Sequence, residues 1–228
     1  MKKYLFILLL ISLFTTELSA QRRNGLIARR IDSDGVLSFS VGPAYLYGDP
    51  FGNVYDKSIL NGTNFSTSLS FRQMFVGNFG YRASLIYGNY VGSDLATREH
   101  TVGYLSFNSS ILELTMRGEY KLFSFGGNRF SRDTPNSIYL FLGGGLASTN
   151  VTNPPGSAPL DVAQTTALVM PLGFYYEYAL TPNFMIGAEF GWQLGFSDYL
   201  DGYHPPVPNS KSDDVLGNFH ITVSYRIF

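Results

Sequence analysis

The sequence predicts an all-β fold, an eight-stranded antiparallel up-and-down transmembrane β-barrel. Three observations predict it. Apolar and polar residues alternate over stretches longer than a soluble strand, as in Ser110–Leu122. The composition joins 16 Tyr, 19 Phe and 24 Gly to only 14% charged residues and no Cys, a mixture that suits a bacterial outer-membrane barrel. The connections between the alternating segments run long, short, long, medium, long, short, long, as they do when short turns lie on one side of a membrane and loops on the other. A secreted β-sandwich is the competing fold, and it offers no reason for that last pattern.

Residues 1–20 read as a secretory signal peptide. Lys2 and Lys3 begin it, Tyr4–Phe14 is an apolar run too short to span a membrane as a helix, and Ser19-Ala20 offers a small-residue cleavage site. Residues 21–35 read as a polar periplasmic leader carrying Arg22, Arg23, Arg29 and Arg30, and 36–228 as the outer-membrane barrel. Without cysteine there is no disulfide, thiolate metal site or cysteine nucleophile. A formal net charge of -1 argues against a nucleic-acid partner.

The strands follow in order. The first, about 36–47, sets Leu37, Phe39 and Val41 against Ser38, Ser40 and Gly42. The second, about 64–75, sets Phe65, Leu69 and Phe71 against Ser66, Ser68, Ser70 and Arg72. The third, about 79–90, follows the tight turn Val76-Gly77-Asn78 and opposes Tyr81, Leu85 and Tyr87 to Arg82 and Ser84. The fourth, 110–122, opposes Leu112, Leu114, Met116 and Tyr120 to Glu113, Arg117, Glu119 and Lys121. The fifth is about 138–147 and the sixth about 165–179. After Leu180-Thr181-Pro182-Asn183 the seventh, 184–196, opposes Phe184, Ile186, Phe190 and Trp192 to Glu189 and Gln193. The eighth runs from about 217 to the terminus, with Phe219, Ile221, Val223, Tyr225 and Ile227 on its apolar face. An even count brings both termini to the periplasmic side.

In a membrane barrel the apolar face meets lipid, so the other face fills the lumen. That places Arg72, Arg82, Glu113, Arg117, Glu119, Lys121, Glu177, Glu189 and Arg226 inside. Eight strands leave room for little but side chains, and charges in so narrow a space must pair. Arg117 is expected to pair with Glu113 or Glu119 of its own strand. A structural ion-pair plug is the plainer reading, and a selective pore or ligand pocket the other. Catalytic, metal and cofactor sites are not expected. His220 and Ser224 lie four residues apart on one strand, about 13 Å, too far to touch. His100 and His204 fall in separate loops. Asp198 and Asp201 lack the spacing of a calcium loop.

Four stretches carry a resemblance. They are Tyr45-Leu46-Tyr47-Gly48-Asp49; Leu105 to Glu113 running into Glu119-Tyr120; Pro171-Leu172-Gly173; and Gly187-Ala188-Glu189-Phe190-Gly191-Trp192 followed by Ser197 to Asp201. Together they resemble a Bacteroidota family of small outer-membrane barrels that includes PorG of the type IX secretion system. Gln193 stands where the family pattern has an arginine, and Gly202 where it has a second aspartate. The resemblance implies a non-enzymatic barrel that meets periplasmic secretion-machinery proteins as well as outer-membrane lipid. The leader arginines would then be the contact. A small pore or ligand-binding barrel is the alternative function, and an enzyme acting on lipid or peptide a third.

Overall fold

Alternation at every second residue builds strands, and eight of them close on themselves. The structure, a computed structural model, describes residues 35–47, 64–75, 78–93, 106–126, 136–152, 164–197 and 215–227. The strands are β1 Gly35–Tyr47, β2 Phe65–Met74, β3 Phe79–Ser93, β4 Ser106–Phe125, β5 Asn136–Thr152, β6 Gln164–Ala179, β7 Phe184–Gly195 and β8 Val215–Arg226. Each pairs antiparallel with the next, and β8 returns to β1 from Val36↔Arg226 to Tyr47↔Val215. The result is an eight-stranded up-and-down barrel with no free edge, which is how a sheet satisfies its backbone in lipid.

The middle strands are longer than the alternation alone predicts. The β5 strand runs past Ala147 to Thr152, because β4 supplies partners as far as Asn108↔Thr152. Ser148, Asn150 and Thr152 read as loop residues in isolation, and the ladder overrides that preference. At the other end of β4 a bulge falls between Lys121 and Phe123. It lets the successive residues Leu122 and Phe123 both face outward.

The exterior is that of a membrane-spanning barrel. Leu37, Phe39, Leu69, Leu114, Met116, Leu142, Leu168, Ile221 and Val223 are all exposed on it. Aromatic residues gather at the end that carries the short turns. Phe79 packs on Tyr120 at 4.7 Å between ring centroids, Phe184 on Tyr225 at 5.0 Å and Phe75 on Tyr81 at 5.4 Å. Phe65, Tyr87, Trp192 and Phe196 stand exposed toward the loop end. Two aromatic girdles flanking an apolar band are the mark of a barrel seated in a bilayer.

The band is not crossed equally on all sides. On β3 to β6 the exterior turns polar toward the loop end, through Asn89, Asn108, Ser110, Ser148, Asn150, Gln164 and Thr166. Tyr87 and Ser110 both donate to Asn89 Oδ1, at 3.2 and 2.9 Å. On β7 the exterior stays apolar up to Leu194 and Phe196. One side of the barrel therefore stands higher than the other.

Candidate functional site

Among the described residues, the lumen is where this fold buries charge. At mid-barrel, Arg72 of β2, Arg82 of β3 and Arg117 of β4 meet Glu119 of β4, Glu177 of β6 and Glu189 of β7, and all six side chains are buried. Arg117 grips Glu189 with both terminal nitrogens, Nη1 donating to Oε1 at 2.7 Å and Nη2 to Oε2, and its Nε donates to Glu119 at 3.2 Å. Arg82 Nε lies 2.7 Å from Glu119 Oε1 and its Nη1 3.8 Å from Glu189. Arg72 donates to Glu177 at 2.6 Å. Tyr139 and Tyr175 donate to the same Glu177 at 3.3 and 3.2 Å.

Aromatic faces complete the layer. The guanidinium of Arg117 lies 3.9 Å from the centre of the Phe141 ring, Arg82 4.5 Å from Tyr175 and Arg72 4.8 Å from Tyr139. Forked donors stacked on rings give each arginine both a carboxylate and a π-face, the arrangement that best offsets burial. Glycine makes the room. A Cβ at Gly187 would meet the Tyr175 ring at 2.6 Å, and one at Gly143 would lie 2.5 Å from Arg117 Cα.

The expected lumen residues therefore fall into three groups. Arg72, Arg82, Arg117, Glu119, Glu177 and Glu189 form the mid-barrel layer. Lys121 and Arg226 are half-buried toward the turn end, with the Lys121 ammonium 5.7 Å from the Tyr139 ring centre. Glu113 does not pair with Arg117. The expectation of a same-strand partner holds for Glu119 alone, because the bidentate partner, Glu189, comes from β7 across the lumen. The tyrosines and Phe141 of this layer were not singled out from sequence, although alternation along β5 and β6 would have turned them inward.

Glu113 stands apart, nearer the loop end. It is 0% exposed, and neither carboxylate oxygen has a hydrogen-bond partner among the described residues. Its strand neighbours Ile111 and Ala147 belong to an apolar cluster with Ala44, Tyr90, Val151, Ala167, Val169 and Leu216.

Small hydroxyls line the β1–β8 wall. Ser40 bonds Thr222 at 2.9 Å and Ser224 donates to Ser38 at 2.8 Å. His220 is buried and contacts Ser66 Oγ through Nε2 at 2.6 Å, while Ser224 goes elsewhere as its spacing required. The Ser66–His220 contact has the geometry of an activated serine, but it lacks the remaining parts. Ser66 is only 1% exposed, and Glu189, the residue paired with His220 across β7–β8, is committed to Arg117. The predicted contacts Arg22, Arg23, Arg29 and Arg30 lie outside the described residues, as do His100, His204, Asp198 and Asp201.

Comparison with known proteins agrees with this architecture. The neisserial surface protein NspA superposes with a TM-score of 0.52 at 11% identity, over 85% of this chain and 97% of that one. Ail, the attachment invasion locus protein of Yersinia pestis, solved with the heparin analogue sucrose octasulfate, gives 0.49 at 15% identity, over 86% of this chain and 99% of that one. A major outer membrane protein of Thermus thermophilus gives 0.49 at 14% identity, over 85% and 99%. At such identities the likeness concerns the fold alone. No functionally curated protein matches the chain. The profile of a family described as a domain of unknown function, DUF6089, matches residues 41–225, which takes in all but the first few and the last residues of the barrel, and the chain belongs to that family.

Proposed function

We propose that this is a non-enzymatic integral outer-membrane barrel, an accessory or scaffold component of the type IX secretion machinery. Both termini and the short turns would face the periplasm, and the leader arginines Arg22, Arg23, Arg29 and Arg30 would meet an acidic partner there. The observation that carries the non-enzymatic scaffold reading is the mid-barrel layer. Buried arginine–glutamate pairs stacked on Tyr139, Phe141 and Tyr175 occupy the mid-barrel lumen, which favours a barrel that works through its ends rather than by conducting solutes. The secretion role rests on the sequence resemblance, and the periplasmic orientation on the alternation of connection lengths.

The test is a pull-down of the native protein in gentle detergent, with identification of what co-purifies. Periplasmic secretion components are the expected result. Reversing the four leader arginines to Glu should weaken their capture while the barrel still folds and shifts on an unboiled gel. High salt should weaken the wild-type contact as well. Capture at full strength by the reversed, folded protein would remove the leader from the proposal. A large steady conductance of the lone barrel in a planar bilayer would favour the pore reading instead.

A further inference from the structure

The polar exterior of β3–β6 is laid out in ladder register. Leu85, Leu114, Leu146 and Leu168 pair in succession across the four strands, and all four are exposed. Two residues nearer the loops, Tyr87, Leu112, Ser148 and Thr166 pair in the next outward row. Two further on, Asn89, Ser110, Asn150 and Gln164 pair in a third. Paired side chains of one face are direct neighbours. Over three rows the outer wall thus passes from hydrocarbon, through a mixed row, to hydroxyls and carboxamides alone.

The upper two rows hold a groove of about 610 Å³, lined in part by Tyr87, Ser110, Ser148, Asn150, Gln164 and Thr166. Sites for small molecules run from about 300 to 1,000 Å³. Tyr87 and Ser110 commit their hydroxyls to Asn89. Ser148, Asn150, Gln164 and Thr166 make no side-chain hydrogen bond to another described residue. Among the described residues no Asp, Glu, Lys or Arg faces outward on this part of the wall.

We infer that the groove binds the uncharged sugar headgroup of a membrane glycolipid, whose acyl chains lie along the leucine row beneath it. Position selects a lipid, because the groove stands directly above the apolar band of a barrel whose outer wall meets lipid. The lack of charge selects the headgroup. Phosphate headgroups are held by Arg and Lys, and the groove has neither. Hydroxyls and carboxamides both donate and accept, which matches the hydroxyls of a sugar. The loop end of β7 carries Trp192, Leu194 and Phe196 at its exposed positions and offers no such groups.

The experiment reads lipid contact by tryptophan quenching in phosphatidylcholine vesicles. Vesicles carry lipid in both leaflets, so the readout does not depend on which way the barrel inserts. The quencher is a minor fraction of lipid brominated near the headgroup end of one chain, with a galactose, phosphocholine or phosphoglycerol headgroup. Trp192 is the single tryptophan of the chain, so the full-length wild type reports the β7 flank. The double variant Leu114→Trp/Trp192→Phe reports the row beneath the groove. Its indole should see the galactolipid enriched over brominated phosphatidylcholine by about two- to tenfold, the weight of one net hydrogen bond. The wild type should see no enrichment. Adding Asn150→Ala and Gln164→Ala, both at exposed positions, should remove most of the excess. If Leu114→Trp does not insert, Leu146→Trp carries the same readout. Equal quenching by galactolipid and phosphatidylcholine beneath the groove would overturn the site, and so would an excess that persists without the two amides. An equal excess at Trp192 would show a preference of the whole barrel, and a larger excess for the phosphoglycerol lipid would show an anionic-lipid surface; either result overturns the sugar site.

Discussion

The two halves of the lumen solve the same problem in opposite ways. Toward the turn end, six buried charges meet within one layer, every arginine has a carboxylate, and aromatic rings close the gaps. Toward the loop end, one carboxylate sits among Ala, Val, Ile, Leu and Tyr with neutral polar residues such as Thr115, Thr149 and Gln193 for company. Both halves are buried and both are built by the same alternation. The difference teaches that burial in a small barrel does not by itself make an ion-pair network. The network forms where acids and bases of opposite walls arrive at one height. Glu189 reaches Arg117 across the lumen, while no arginine among the described residues reaches Glu113.

The comparison can be broken most forcefully in the paired half. Arg117→Met leaves Glu189 without its two-pronged partner in a dry layer, and stability should fall by about 3–5 kcal/mol. An unchanged thermal midpoint in detergent would mean that the layer is solvated. Close packing gives the next effect. Gly187→Val drives a side chain into the Tyr175 ring, which Gly187 leaves room for. The cost should be roughly 1–3 kcal/mol, read by denaturant unfolding, and Tyr175→Leu should relieve only part of it, because the Tyr176 carbonyl oxygen lies 2.6 Å from the same Cβ. The unpaired half should respond with the opposite sign. Glu113→Leu removes a carboxyl that no arginine balances from an apolar layer and should stabilise the barrel, on the order of 1–2 kcal/mol. The same change at Glu119 should destabilise it, and equal responses at the two sites would erase the distinction between the halves. Smallest is the hydroxyl wall. Ser40→Ala leaves Thr222 short of its 2.9 Å partner and should cost about 1 kcal/mol, measured as a midpoint shift with unchanged steepness.

Much of this was legible in the sequence. The strand count, the closure and the outward faces follow from period-two alternation, which needs only neighbours along the chain. The inward charges were legible for the same reason. Their partners were not. Which acid meets Arg117 depends on the stagger accumulated around eight strands, from β4 through β5 and β6 to β7, and no local pattern records that sum. The isolation of Glu113 is the same failure in reverse. Its own strand offers Arg117 four residues away, but the arginine leans to the far wall. The β5 extension was missed because Ser148 to Thr152 has turn chemistry, and pairing with β4 outweighs it.

The uneven rim has a consequence for approach. On the β3–β6 side the wall carries a polar exterior beyond the apolar band, and on the β7 side it ends in Leu194 and Phe196. Over the described strands the loop-side limit of the apolar band is therefore stepped rather than level. Acyl chains stop at the foot of the hydroxyl- and amide-bearing parapet on one flank and come up to Leu194 and Phe196 on the other.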